Sequence, residues 1–167
     1  MEFKSKKSEF DHFSRLAGEW WAKNGKFKIL HDIQPIRMKY IQNVINKKRL
    51  DKIKILDVGC GGGLISEGMS KLGAKVTGID FVEENINAAK LHSSENNLNI
   101  NYMVKDFEKE HIKSKFDIIV IFEVLEHLDD WESFLKKIKL NLKPNGALII
   151  STINRNLKKA SCEGPYI

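Results

Sequence analysis

Two groups of residues in this chain have the types and spacing to do chemistry. The first is Asp57, Gly59, Gly61 and Gly63, with Asp80 further along. The glycines allow positive φ and place no Cβ between the backbone and a ligand. An acid at the end of the following strand can accept from ribose hydroxyls. The second group is Glu123, Glu126 and His127, at i, i+3 and i+4. One helical turn would put all three on one face. Two carboxylates and an imidazole suit a cation such as Mg²⁺ or Zn²⁺. A histidine here can equally serve as a general base, or merely line a pocket.

These residues need a scaffold. Ile53 to Val58 is an apolar, β-branched run without helical spacing, which predicts a buried strand ending at the glycines. Leu64, Ile65, Met69 and Leu72 then recur at helical spacing. Further strands are expected at 75–80, 100–104, 116–122 and 147–152. Helices are expected at 64–72, 82–96 and 131–142, with a short turn near 107–110 and a Pro144-Asn145-Gly146 turn before the fifth strand. This alternation argues for an α/β fold, a parallel sheet with helices on both faces. Upstream, 9–22 carries Phe10, Phe13, Leu16, Ala17, Trp20 and Trp21 on a broad face, and Pro35 is expected to open a second helix through Ile45. Core packing is the favoured role for Trp20 and Trp21. The organisation expected is an N-terminal helical cap over 1–49, a core over 50–157 and a tail over 158–167.

The glycine turn does not fit the common nucleotide fingerprints. In Gly-x-Gly-x-x-Gly the last glycine would fall on Leu64 or Ser66, and a phosphate loop would need Gly-Lys-Ser/Thr. The pattern Asp57-x-Gly59-x-Gly61-x-Gly63 instead resembles motif I of the class I S-adenosylmethionine-dependent methyltransferases. That resemblance implies a Rossmann-like sheet of seven strands. Only five are readable, so the expectation is a core truncated after the fifth strand, an incomplete gene product, or a chain completed by a partner.

Composition narrows the field. A chain of 167 residues, 42% hydrophobic and 30% charged, is one globular domain's worth. Cys60 and Cys162 give no disulfide framework, so a reducing, cytoplasmic setting is expected. The first ten residues are charged and do not form a secretory signal. The net charge of +6 is almost all lysine, with arginine only at 15, 37, 49 and 155. Dispersed lysine favours a solvated surface over a nucleic-acid footprint.

Three blocks resemble one family within the superfamily, the ubiquinone-biosynthesis O-methyltransferases of the bacterial UbiG type. They are Trp20-Trp21 through Pro35-Ile36-Arg37; Leu56 to Leu64 with Gly73 to Asp80 and Ala89-Lys90-Leu91-His92; and Glu123-Val124-Leu125-Glu126-His127 with Ser151 to Asn156. The resemblance covers roughly residues 9 to 158, and the first block is its most specific part. It implies methylation of phenolic hydroxyls on a polyprenylated catechol-type ring by S-adenosylmethionine. It implies cofactor contacts at Arg37, Gly61, Asp80 and Phe122, where this chain carries Phe for the family's Met. Arg37 would grip a carboxylate with its fork. Asp106, after the third strand, is a further candidate, for the adenine amino group.

A phenol titrates near pH 10, so the site must remove or stabilise against that proton (about 10). Either His127, with Glu123, acts on the proton, or a metal bound by Glu123, Glu126 and His127 lowers the phenol's pKa. The resemblance supports metal ligation at these three positions. His31, His92 and His111 read as helix or loop histidines. The prenyl tail implies peripheral contact with the inner membrane. Two alternatives stand beside this reading. One is an RNA-directed methyltransferase, suggested by charge and by a similar Glu-x-x-Glu-His array in small-RNA methyltransferases. The other is a cofactor-binding remnant without turnover.

Overall fold

The computed structural model describes residues 11, 14–110 and 112–152. Five strands, β1 (Lys54–Val58), β2 (Lys75–Asp80), β3 (Asn101–Val104), β4 (Phe116–Phe122) and β5 (Leu142–Ser151), form one sheet in the order β3-β2-β1-β4-β5. Every pairing is parallel. The helices are α1 (Lys28–Ile45), α2 (Leu64–Lys71), α3 (Glu83–Glu95) and α4 (Trp131–Lys139). The expected α/β architecture is therefore present, with its strand order reversing beside β1, where such sheets open a crevice at their carboxyl ends.

The period-two alternation of the central strands explains the two-faced core. Leu56, Val58, Ile79, Ile119 and Ile121 point to one face and pack with Phe134 and Ile138 of α4. Ile55, Val76, Ile118 and Val120 point to the other and meet Ile41 of α1 and Ile65 and Met69 of α2. Leu56 and Ile119 are fully buried, so truncating either to Ala costs roughly 2–5 kcal/mol. That rigid floor fixes the strand ends on which the chemistry sits.

Three local expectations need correction. Helix α1 begins at Lys28 and carries Pro35 inside it. Proline forfeits one backbone hydrogen bond there, but Leu30, Ile41 and Ile45 on one flank of the helix still find apolar partners. Strand β5 begins at Leu142, and Pro144-Asn145-Gly146 forms an irregularity within it. Asn145 takes φ +63° there, and the register shifts between Phe116 and Ile118. The upstream helix narrows at Ala17–Glu19 into a 3₁₀ turn that ends at Trp20. Residues 153–167, and with them the expected tail, lie outside the described residues, as does His111.

Candidate active site

The glycine turn is built where β1 meets α2. The amides of Gly59 and Cys60 both donate to the carbonyl of Ile79, tying the turn to the end of β2. Gly61 has φ +52° and Gly63 φ +88°, conformations that glycine adopts without steric cost. A methyl group at Gly61 would run into the Trp20 ring. Gly63 serves a different purpose, capping α2 and bonding to Cys60.

Asp80 holds this turn from below. Its carboxylate accepts from the Gly61 amide at 2.9 Å, from the Val82 amide at 2.9 Å and from Asn85 Nδ2 at 3.4 Å. Burial nevertheless pushes its pKa up, against those hydrogen bonds. Asp57 is buried deeper. Burial raises it to about 7, although Ser66 Oγ donates to it at 2.6 Å.

A cavity of about 590 Å³ opens above the turn. Arg37, Asp57, Gly59, Gly61, Asp80 and Asp106 line it, as do Phe122, Glu123, Glu126 and His127. The structure thus brings together every sequence-singled residue except Gly63, which sits behind the turn. Asp106 also organises its own loop, accepting from the Glu108 amide at 3.1 Å and from Lys109 Nζ at 2.8 Å.

Arg37 reaches in from α1. Its guanidinium lies 4.9 Å from the Phe122 ring centroid and donates to Glu123 Oε1 at 2.5 Å. Burial lowers its pKa while Glu123 opposes the shift. Glu123 is held in turn by Ser151 Oγ at 2.9 Å. Burial, with Glu126 nearby, raises the Glu123 pKa against the pull of Ser151 and Arg37.

The three residues of the metal expectation line one cavity, but not from one helical face. Glu123 has φ +57° and stands before the 3₁₀ turn Leu125–His127, so the shared helical face does not form. Its Oε1 faces a guanidinium, and Glu126 accepts from Thr152 at 2.8 Å. Among the described residues no three His, Cys, Asp or Glu side chains gather where they could hold a metal ion.

Sequence reasoning missed Asn85. It joins Asp80 to Trp20, whose Nε1 donates to Asn85 Oδ1 at 2.8 Å. Its only sequence signal is its place in the first turn of the helix after the acid. Trp20 does pack as expected, stacking on Phe27 with ring centroids 3.9 Å apart, yet it also walls the cavity.

A glycine turn bridged to an acid at the next strand end, over a crevice in a parallel sheet, defines a class I methyltransferase fold and site. Comparison with known proteins agrees. Residues 56–150 match the Methyltransferase domain family. A ubiquinone biosynthesis O-methyltransferase of Pelagibacter ubique (strain HTCC1062) is 47% identical over 160 residues, which is 91% of this chain and 67% of that protein. One from Coxiella burnetii (strain Dugway 5J108-111) is 47% identical over 153 residues, 91% of this chain and 64% of that protein. The chain belongs to the ubiquinone biosynthesis O-methyltransferase family of methyltransferase-domain proteins, and it spans about two thirds of the length of the curated relatives it matches. Among solved structures, magnesium protoporphyrin IX methyltransferase (ChlM) from Synechocystis PCC 6803 with bound SAH aligns at TM-score 0.69 and 18% identity, over 84% of this chain and 69% of that one. The plantazolicin methyltransferase BpumL in complex with a monoazolic desmethylPZN analog and SAH aligns at TM-score 0.64 and 24% identity, over 91% of this chain and 62% of that one. These two likenesses concern the fold.

Proposed function

We propose that the chain transfers a methyl group from S-adenosylmethionine to a phenolic hydroxyl of a polyprenylated catechol-type intermediate in ubiquinone biosynthesis. The observation that carries the reading is the single cavity shared by Asp80, Arg37 and His127. Relatives named for this activity, and fold neighbours bound to SAH, support it.

The residues present fit the donor, because Gly59 and Gly61 line the cavity beside Asp80, a buried carboxylate held in place by two backbone amides. Bound donor supplies an electrophilic methyl on a sulfonium. Asp80 accepts from the ribose hydroxyls, and Arg37 pairs with the donor's carboxylate. Asp106 borders the adenine end, and Phe122, whose ring lies 4.9 Å from the Arg37 guanidinium, borders the carboxylate end. Phe27, Leu30, Phe107, Val124 and Leu128 give the rest of the cavity an apolar wall suited to an aromatic acceptor. His127 takes the phenolic proton as the oxygen attacks the methyl carbon. The carbon–sulfur bond breaks with its electron pair going to sulfur, leaving S-adenosylhomocysteine. Glu123 keeps Arg37 aimed into the cavity.

The acceptor's tail favours a lipid surface. No helix among the described residues is long and apolar enough to cross a membrane. Ile29, Ile36, Tyr40 and Val44 are, however, exposed on α1, at spacings that share one helical face. Peripheral contact through that face fits the reading, and co-sedimentation with anionic vesicles tests it.

The main test is transfer of labelled methyl to a short-chain catechol, with RNA as a parallel acceptor. Label on the catechol is expected. Label on RNA alone, or on neither acceptor despite tight donor binding, rejects the reading.

A further inference from the structure

Trp21 makes contacts that methyl transfer as outlined above leaves unexplained. Its Nε1 donates to the carbonyl of Gly62 at 3.0 Å, so it grips the glycine turn by its backbone. Its ring stacks on His92 of α3 with centroids 3.4 Å apart and planes within 5°. His92 Nδ1 lies 2.6 Å from Oε1 of Glu67, a side chain with no solvent exposure that stands on α2. The other Glu67 oxygen meets Lys71 Nζ at 3.3 Å. His31 of α1 completes the surround, edge-on to Trp21 at 5.8 Å with its Nε2 2.8 Å from the carbonyl of Trp20. Asn96 also borders His92, donating to its carbonyl at 2.8 Å.

A buried carboxyl is costly unless paired, so Glu67 fixes the orientation of the His92 ring. The ring offers Trp21 a plane, and Trp21 in turn fixes the Gly62 peptide. Asn85 and His92, seven residues apart on α3, lie on one face of that helix. They fasten Trp20 and Trp21 respectively.

We propose that Glu67 and His92 are positioning residues for the methyl donor, acting through Trp21 to lock the tryptophan segment onto the glycine turn. The inference rests on the donor site proposed above. Neither residue lines the cavity, so their effect is on donor affinity and passes through the Gly62 backbone.

The test is calorimetric titration of the full chain with S-adenosylhomocysteine, using His92→Asn, Trp21→Phe and the double variant. Asn keeps a donor for Glu67 but removes the plane beneath Trp21. Phe keeps a ring but removes the bond to Gly62. Each single variant is expected to weaken binding about three- to ten-fold. The double variant should be no weaker than the worse single, because the two residues act as one unit. Tryptophan emission should shift when His92→Asn is made in the parent chain but not when it is added to Trp21→Phe, marking the lost stack. Unchanged affinity in the single variants, or additive losses in the double, overturns the proposal even where melting temperatures fall. Failure of the unaltered chain to bind S-adenosylhomocysteine overturns the donor-site reading itself, and this inference with it.

Discussion

Replacing Asp80 by Asn separates the scaffold role of this residue from its ligand role. The carboxylate accepts from two backbone amides, Gly61 and Val82, each at 2.9 Å. Asparagine retains one acceptor oxygen and turns an amide NH₂ toward the other N–H. A buried donor left unpaired costs about 1–3 kcal/mol. Removing a charge that burial disfavours offsets part of that, so a net loss of about 1–2 kcal/mol is expected. For a chain of this size that is a melting-point drop of about 2–8 °C. The ligand role is larger. Hydrogen bonds from ribose hydroxyls to an ionised acceptor contribute about 1.5–3 kcal/mol each, so losing one or both weakens donor binding by at least about ten-fold. Titration with S-adenosylhomocysteine and a thermal melt on the same sample give both numbers. A variant that melts lower yet binds within two-fold of the parent would refute the reasoning, since Asp80 would then be only a loop anchor.

Arg37→Ala should weaken S-adenosylhomocysteine by ten-fold or more and leave 5′-methylthioadenosine, which lacks the carboxylate, nearly unaffected; equal losses for both would mean that Arg37 acts only through Glu123. Asp57 has its pKa raised from 3.8 to about 7 by burial, so the folded state binds the extra proton. Its contribution to stability is full below pH 3.8 and is lost as pH rises through about 7. Asp57→Asn should therefore flatten the fall in melting temperature across that window, and a variant with the parent's slope contradicts this. His127→Ala should lower kcat on a catechol by about 10²–10⁴-fold near neutrality, with the deficit shrinking toward pH 10, where the phenol ionises unaided (about 10). A deficit independent of pH would remove His127 from the proton transfer.

The sheet was legible because its central strands are buried on both faces. Val76, Thr77 and Ile79 in the one case and Ile118 to Phe122 in the other are the apolar or β-branched stretches, and the observed limits of Lys75–Asp80 and Phe116–Phe122 match the expected ones. The glycine turn and Asp80 were legible for a related reason, since positive φ and close approach demand glycine where other turns tolerate substitution. Pro35 misled because its local preference for a helix start was overridden by packing on both sides of it. The residues at 123, 126 and 127 share a cavity but not the expected helical face, because spacing implies one face only inside a regular helix and the φ of Glu123 breaks that regularity. The pairings of Trp20 with Asn85 and of Trp21 with Gly62 and His92 join residues 41 to 71 positions apart. No periodicity encodes those contacts.

A crystal structure with S-adenosylhomocysteine tests the central claim most directly. The ribose hydroxyls should lie within hydrogen-bond distance of Asp80, with the amino-acid end toward Arg37 and the sulfur facing the side of the cavity that holds His127. A nucleoside bound away from Asp80, or none at saturating concentration, would contradict it.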